Sequence, residues 1–328
     1  MDLNRVFLSI YSYGYSAGFI QDSRFNGEAI VDLNELIKLS KNYGLGGIEI
    51  PLDRYFKEPT AEILDFVKNL DQQGLRVTFD LEEFDPIYLK KALPILSESM
   101  QSILRVKVSN FYGGNRFRHP EFKEHLAEFK RGMRSVADDL DKYGVRLLVE
   151  NHQDISLDEI LDLVSEFGSN RIGLNWDLGS SLALGWTVEQ FREKAGQFVG
   201  NIHLKDYQMV KCDGGFRLVR CALGAGVVDF KAALGRCEGD SISEKTPMSI
   251  ELGAQNAREA FVDLDEYWVA FPEMTRKNRK RFMEYVHEMA TDAPWESLWE
   301  KKAAPKQIVK GEHLQMDDTV KFLKGLVL

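Results

Sequence analysis

Eight short runs rich in apolar and β-branched residues recur along this chain, and longer amphipathic stretches separate them. The runs are Val6–Tyr11, Gly47–Pro51, Arg76–Asp80, Leu104–Val108, Arg146–Glu150, Ile172–Asp177, Asn201–Lys205 and Met248–Leu252. Several of them follow a glycine that can end a helix in the left-handed conformation, such as Gly44, Gly74 and Gly144. The order strand, helix, glycine, strand is typical of βα units in a parallel sheet. Eight such units favour a closed (β/α)8 barrel, the TIM barrel, over an open doubly wound sheet.

The segments between the runs predict helices. Residues 31–41 and 122–140 each place their apolar residues on one face, and a third helix at 156–167 begins with a capping box of Ser156 and Glu159. A Rossmann fold would need a Gly-x-Gly-x-x-Gly turn after the first strand, and Tyr13–Gly18 lacks that spacing.

The 328 residues are enough for one large α/β domain. The spacing between strands is regular up to Leu252, after which some sixty residues precede a closing amphipathic segment at 317–326. We therefore expect a single TIM barrel domain over residues 1–328, with an extended segment after strand 8 inserted at about 256–315.

Composition excludes several classes of protein. The chain has 42 basic and 51 acidic residues, a formal net charge of -9, whereas nucleic-acid binding requires a concentrated basic face. Its three cysteines, at 212, 221 and 237, form no CxxC pair or disulfide framework, which favours a reducing cytoplasm. No apolar run is long enough to span a membrane or to serve as a signal peptide, so we expect neither nucleic acid nor membrane as a partner.

Four polar residues lie at or near the carboxyl ends of runs five to eight: Glu150, Asp177, His203 and Glu251. In a parallel barrel these ends converge on one face, where the catalytic loops gather. Three carboxylates and an imidazole at the mouth of a dry barrel need a compensating charge, which a divalent cation supplies. This ligand mixture suits Mn²⁺, our first choice, and also Mg²⁺, Co²⁺, Zn²⁺ or Fe²⁺. The sequence therefore predicts a site for one divalent metal ion.

Such a site suits proton transfer at a carbon next to a carbonyl group, through a metal-stabilised enediolate. Glu150 and Glu251 approach from different strands, so that one could remove the proton and the other return it. Glu49 and Lys107, at the ends of runs two and four, are weaker candidates. Tyr11, Tyr13, Phe111, Tyr112 and Trp176 are candidates for the apolar walls of a sugar site, or for ordinary core residues.

The chain resembles the sugar phosphate isomerase/epimerase superfamily with its xylose isomerase-like TIM barrel, over about residues 1–255 and the final helix. The resemblance is most specific in five motifs: Val149-Glu-Asn-His152, Leu174-Asn-Trp-Asp-Leu-Gly179, His203-Leu-Lys-Asp206, Leu223-Gly-Ala-Gly-Val-Val-Asp-Phe230 and Ile250-Glu251. It implies that Glu150, Asp177, His203 and Glu251 together bind one metal ion. It also implies a small carbohydrate as substrate and, by analogy, a homo-oligomer as an open alternative.

Three further residues are candidates for substrate binding. Arg220 precedes the Gly-x-Gly turn, as an arginine often does in the family, and Lys205 follows His203 by two residues. Lys205 could instead pair with Asp206, and His152 either points into the barrel mouth or supports the metal ligands from behind.

The chain departs from the family's epimerases at two positions. Ser180 stands where they usually have a substrate-holding His, and Ser156 stands where ketose 3-epimerases have a second Glu. We expect a metal-dependent sugar isomerase or epimerase of carbohydrate metabolism, with a metal-dependent lyase or dehydratase of the same superfamily as the alternative. A binding protein without catalysis is disfavoured because all four ligand residues are present, and a nuclease because the chain has only six histidines.

Overall fold

Eight parallel strands close into a barrel in this protein, whose structure is a computed structural model that describes residues 1–24, 30–111, 114–235 and 242–327. The barrel strands are β1 (Val6–Ser9), β2 (Gly47–Pro51), β3 (Arg76–Asp80), β4 (Ile103–Val106), β5 (Arg146–Glu150), β6 (Ile172–Asp177), β7 (Val199–Leu204) and β10 (Met248–Ile250). Each pairs with its neighbour in parallel, and β1 closes the barrel by pairing with both β2 and β10. The predicted TIM barrel is confirmed, since every predicted run overlaps one of its strands.

Helices connect the strands and cover the outside of the barrel. Their bounds are α1 (Leu33–Tyr43), α2 (Leu52–Tyr55), α3 (Ala61–Gln72), α4 (Pro86–Glu98), α5 (Phe122–Tyr143), α6 (Leu157–Phe167), α7 (Leu178–Ala183), α8 (Val188–Ala195), α9 (Phe230–Leu234), α10 (Asp265–Val269), α11 (Arg276–Met289) and α12 (Pro305–Gly325). Gly44 and Gly144 end α1 and α5 with φ of 74° and 64°, the left-handed conformation that glycine adopts without a Cβ clash. The capping box of Ser156 and Glu159 opens α6 as predicted.

A second, antiparallel sheet lies beside the barrel. It consists of β8 (Tyr207–Cys212), β9 (Gly215–Arg220) and β11 (Arg258–Ala260), in the order β11-β9-β8. Our sequence analysis missed the β8–β9 hairpin, although Asp213-Gly214 between two β-rich runs is a strong signal for a two-residue hairpin turn. The turn has Gly214 at φ 82°.

The segment after the last barrel strand returns to the hairpin at two places. Its first strand, β11, pairs with β9, and further along Thr291 forms a parallel bridge to Val210. The closing helix α12 begins at Pro305, twelve residues earlier than the predicted start at Asp317, with a proline at its first position.

Two sequence-based expectations fall on residues outside the described part of the chain: Tyr112 as an apolar wall and Cys237 as a free thiol. Among the described residues, no helix combines the length and apolar composition needed to cross a bilayer.

Candidate metal centre and active-site cavity

Parallel strand order brings the four predicted ligand residues to one rim of the barrel. Glu150 and Asp177 are the last residues of β5 and β6, His203 is the penultimate residue of β7, and Glu251 directly follows β10. All four side chains are buried, and one possible ligand atom from each lies within 4.8 Å of the others. The four residues could therefore form a metal site, as in the family that the sequence resembles.

His203 lies between the carboxylates, and its two ring nitrogens have different neighbours. Nδ1 is 2.9 Å from Oε2 of Glu251 and 3.5 Å from Oε1 of Glu150, whereas Nε2 is 3.1 Å from Oε1 of Glu49. Burial lowers the pKa of His203, but the charges of Glu49 and Glu150 outweigh it and raise that pKa well above its usual value. Glu49 also accepts a hydrogen bond from the Ser249 hydroxyl, so it holds the imidazole from behind.

Two buried cations partly neutralise the carboxylates. The Arg105 guanidinium lies 2.6 Å from Oε2 of Glu150 and donates to Oδ1 of Asp80 at 3.1 Å. The Lys205 ammonium lies 2.6 Å from Oδ2 of Asp177 and 3.0 Å from Oε1 of Glu251.

These contacts set the protonation of the ligand residues. Burial acts to raise the pKa of Glu150, but Arg105 and His203 hold it well below its usual range. Burial opposes Lys205 and His203 in the same way at Glu251, whose pKa falls to about 2. For Asp177 burial outweighs the attraction of Lys205 and raises the pKa to about 6. Glu150 and Glu251 are therefore ionised at neutral pH.

Several atoms of the cluster are buried and make no well-formed hydrogen bond among the described residues, although they lie in close contact with one another or with Arg105. They are both carboxylate oxygens of Glu150, Nδ1 of His203 and Oε2 of Glu251. Buried polar atoms normally find a partner, and atoms that lack one while facing each other are what a bound cation requires. Since carboxylate oxygens and an imidazole nitrogen suit divalent cations, the residues fit such an ion.

A cavity of about 570 Å³ opens above the cluster. Glu251, Lys205 and His152 line it, together with Arg105 and Tyr11. The cavity is large enough for a small carbohydrate, and its charged and aromatic lining is suited to hydroxyl groups and to C–H faces.

Arg220 is not among the residues that line this cavity. Its guanidinium is fully buried and donates to backbone oxygens of Ser12 and Gly253 and to the side chain of Gln315 on α12. Arg220 therefore supports the cavity wall at Gly253 from behind. The substrate contact predicted for Arg220 itself is not seen in the cavity lining.

The alternative pairing of Lys205 with Asp206 is wrong. Lys205 pairs with two carboxylates of the cluster, whereas Asp206 accepts hydrogen bonds from the backbone N–H groups of Tyr207, Gly224, Gly226 and Val228. Asp206 thus organises the Gly-x-Gly loop. A Cβ on Gly226 would lie 2.2 Å from Oδ1 of Asp206, which explains the glycine.

The two serines at the departures from the family pattern lie in different environments. Ser180 lines the cavity, donates its backbone N–H to Oδ1 of Asp177 and accepts a hydrogen bond from Gln153. Ser156 is the N-cap of α6 and is not part of the cavity lining.

Our sequence analysis did not single out Arg105 and Asp80. Both are buried polar residues on predicted barrel strands, and an arginine inside the apolar run Ile103-Leu-Arg-Val was the available signal. Among the wall candidates, Tyr11 lines the cavity and donates its hydroxyl to Asp80, while Trp176 is fully buried against Phe191.

Comparison with known proteins identifies the family of this chain. The chain belongs to the xylose isomerase-like TIM barrel family, whose characteristic pattern matches residues 37–260. The resemblance inferred from the sequence motifs is thereby confirmed.

Two individual relatives match only part of the chain, at low sequence identity. A 3-oxo-isoapionate decarboxylase of Pectobacterium atrosepticum is 26% identical over 102 residues, which cover 30% of this chain and 37% of that protein. The protein YihM of Escherichia coli is 26% identical over 137 residues, which cover 40% of this chain and 42% of that protein. The chain thus matches about two fifths of the length of these curated relatives.

Solved structures of sugar epimerases share the fold. A D-psicose 3-epimerase superimposes with a TM-score of 0.56 at 14% identity, covering 96% of this chain and 97% of the other. The 3-keto-D-glucoside 4-epimerase YcjR of Escherichia coli gives a TM-score of 0.54 at 13% identity, covering 87% and 99%. At such identities the likeness shows the fold alone.

Proposed function

We propose that this protein is a divalent-metal-dependent isomerase or epimerase that moves a proton at a carbon next to the carbonyl group of a small sugar or keto-polyol. The observation that carries the proposal is the convergence of buried candidate ligand atoms from Glu150, His203 and Glu251 beneath a cavity of about 570 Å³. Asp177 completes the ligand set.

Glu150, Asp177, His203 and Glu251 would hold the cation. When bound, a divalent ion stabilises the negative charge that develops on the substrate's carbonyl oxygen. Glu251 lines the cavity and is ionised, so it is placed to take the proton, and Lys205 beside it orients its Oε1. Glu150 comes from the opposite side of the ligand set and would return the proton to the other face or carbon.

His152 and Lys205 are the proposed substrate contacts, since both line the cavity. Burial and the surrounding cations, including Lys205, hold the pKa of His152 well below its usual value against the pull of Glu150, so the ring is neutral at pH 7. A neutral imidazole offers one donor and one acceptor, which suits a sugar hydroxyl.

Several finer parts of the proposal rest on sequence and analogy. We propose Mn²⁺ as the first choice of metal, a cytoplasmic location, and a single barrel domain with an inserted segment at about 256–315. A homo-oligomer is the open alternative for its assembly.

A lyase is the second candidate, and two observations favour it. Ser180 stands in the cavity where family epimerases usually have a substrate-holding His. A protein named for a decarboxylase also matches 102 residues of the chain. A lyase would share the first stage, charge development at the carbonyl oxygen, and would then expel a substituent instead of returning a proton.

Proton NMR in D2O tests the proposal, with metal-loaded protein and a panel of ketoses, inososes and 3-keto sugars. Deuterium entering the carbon next to the carbonyl, with an isomer as product, supports the isomerase, whereas loss of a substituent or of CO2 supports the lyase. Glu251→Gln and metal-stripped protein are the controls. Metal-loaded protein that exchanges no deuterium on any member, or that exchanges equally well after stripping, contradicts the proposal.

A further inference from the structure

Lys107 is a lysine of the active-site cavity that has no acidic partner among the described residues. It directly follows β4, lines the cavity and is half-buried. Its ammonium donates to the neutral Oδ1 of Asn110 at 2.8 Å, and no carboxylate of the described residues lies within 4.0 Å of it. Arg105 and Lys205, the other buried cations of the site, each contact two carboxylates. A half-buried ammonium without a counter-ion is costly unless something else supplies the charge.

Three further acidic residues of the cavity lining either contact other groups or lie exposed. Glu82 pairs with Arg54 at 3.2 Å, and Asp53 accepts hydrogen bonds from the backbone N–H groups of Glu82 and Glu83. Glu83 itself is exposed at the rim. The protein therefore provides Lys107 with long-range attraction but with no direct carboxylate contact.

The surroundings of Lys107 are also suited to an anion. Lys107 lines the same cavity as Arg105 and Lys205, so three cationic side chains face the space that a ligand would occupy. Burial, followed by the repulsion of Arg105, lowers the pKa of Lys107 itself. An anionic ligand placed against Lys107 would stabilise its ammonium, because it supplies an opposite charge in direct contact.

We propose that Lys107 binds a carboxylate of the substrate, so that the enzyme acts on a keto-sugar acid in preference to a neutral sugar. This inference rests on the proposed function and names the substrate class for the same site. A single ammonium beside one amide matches a monoanionic carboxylate. A phosphate would call for several donors, such as a backbone N–H cradle or a bidentate arginine, and Arg105 is already committed to Asp80 and Glu150.

Equilibrium binding to metal-loaded protein tests the inference without requiring turnover. Isothermal titration would compare hexoses with their uronates, such as D-glucose with D-glucuronate, in which the carboxylate lies far from the carbonyl. We expect the uronate of at least one pair to bind about tenfold or more tightly than its neutral partner. We expect Lys107→Gln to abolish that difference, and Lys107→Arg to keep it.

Lys123→Gln, at an exposed lysine of α5, is the matched control and should keep the preference. Circular dichroism and metal content confirm that each variant is folded and loaded. Equal binding of uronates and neutral sugars across the panel, or a preference that survives Lys107→Gln, overturns the inference. Tighter binding of hexose 6-phosphates than of uronates, lost in Lys107→Gln, overturns the carboxylate assignment in favour of phosphate.

Failure of the inference and failure of the proposed function give different results. Deuterium exchange on neutral keto sugars without a carboxylate preference removes only the inference. Carboxylate-dependent binding at Lys107 without any deuterium exchange removes the isomerase proposal and leaves the binding site.

Discussion

Glu49→Gln should weaken metal binding although Glu49 is outside the ligand set. Glu49 is fully buried in β2, and its carboxylate contacts Nε2 of His203 on the side away from Glu150 and Glu251. It therefore orients the imidazole so that Nδ1 faces the other ligands, and its charge raises the electron-donating strength of the ring.

The magnitude follows from what each substitution removes. Loss of such a supporting group typically costs 10- to 100-fold in metal affinity, or about 1.4–2.7 kcal/mol. Glu49→Gln keeps an acceptor for Nε2 and removes only the charge, so we expect about tenfold. Glu49→Ala removes orientation as well, and we expect about 100-fold.

Proton competition at His203 opposes this loss of metal affinity. Glu49 is one of the charges that raise the pKa of His203, so its loss also makes the ring easier to deprotonate. The metal ion carries the larger charge but would lie on the far side of the ring from Glu49, so loss of the carboxylate weakens both metal binding and protonation of the ring. The fall in metal affinity should therefore be largest at high pH, where the ring is deprotonated, and smallest at acidic pH, where metal and proton compete most.

Competition with a fluorescent chelator at pH 8 measures the affinity directly. Glu62→Gln, at an exposed glutamate of α3, is the control for loss of one negative charge and should bind metal like the wild type. If Glu49→Gln and Glu49→Ala both stayed within twofold of the wild type, the reasoning about His203 would be refuted.

Three further outcomes are expected. Glu251→Gln, which keeps the shape of the side chain, should lower deuterium exchange by about 10²- to 10⁴-fold with the fold intact, and exchange at the wild-type rate would exclude Glu251 as the base. Asp177→Ala should lose bound metal by elemental analysis, and stoichiometric metal in this variant would show that the ligand assignment is wrong. Gly226→Ala should lower the free energy of unfolding in urea by about 1–3 kcal/mol, because its Cβ would lie 2.2 Å from Oδ1 of Asp206. Gly325→Ala, where a Cβ meets nothing within 4 Å, is its control, and an equal loss in both variants would contradict the steric explanation.

The barrel could be predicted because its signals are local. Each strand is a short apolar run, and caps such as Gly44, Gly144 and Ser156 mark where the connecting helices begin or end. The β8–β9 hairpin carried a local signal as well, Asp213-Gly214. It was overlooked because a barrel of alternating strands and helices leaves no place for an antiparallel pair. The pairing of β11 with β9 joins residues some forty positions apart, and nothing in either segment alone predicts it.

The candidate site also has parts that the sequence predicts and parts that depend on contacts between remote residues. The four predicted ligand residues stand at the ends of consecutive barrel strands, so the barrel topology alone predicts that they meet. Arg105 and Asp80 lie on neighbouring strands, and their role depends on which side chains face each other across the barrel. The Arg220 side chain is held by a hydrogen bond to Gln315 on α12, which is remote in sequence. Its place in a motif therefore could not show whether it contacts the substrate or supports the structure.

Arg105 and Lys205, the two buried cations, contact the predicted ligand carboxylates in different ways. The difference decides which carboxylate oxygens are open to a metal ion. Arg105 contacts one oxygen of Glu150 and leaves the other facing His203. Lys205 likewise leaves one oxygen of Glu251 facing His203, but it contacts Oδ2 of Asp177, whose Oδ1 already accepts the backbone N–H of Ser180. Asp177 would therefore have to bind a cation through a remaining lone pair of an oxygen that already accepts a hydrogen bond. Lys205 contacts both Asp177 and Glu251 and also lines the cavity, so its ammonium adjoins the cluster as well as the space for a substrate. A cation held by the cluster would repel the Lys205 ammonium, and metal binding and substrate binding would then be linked through this one side chain.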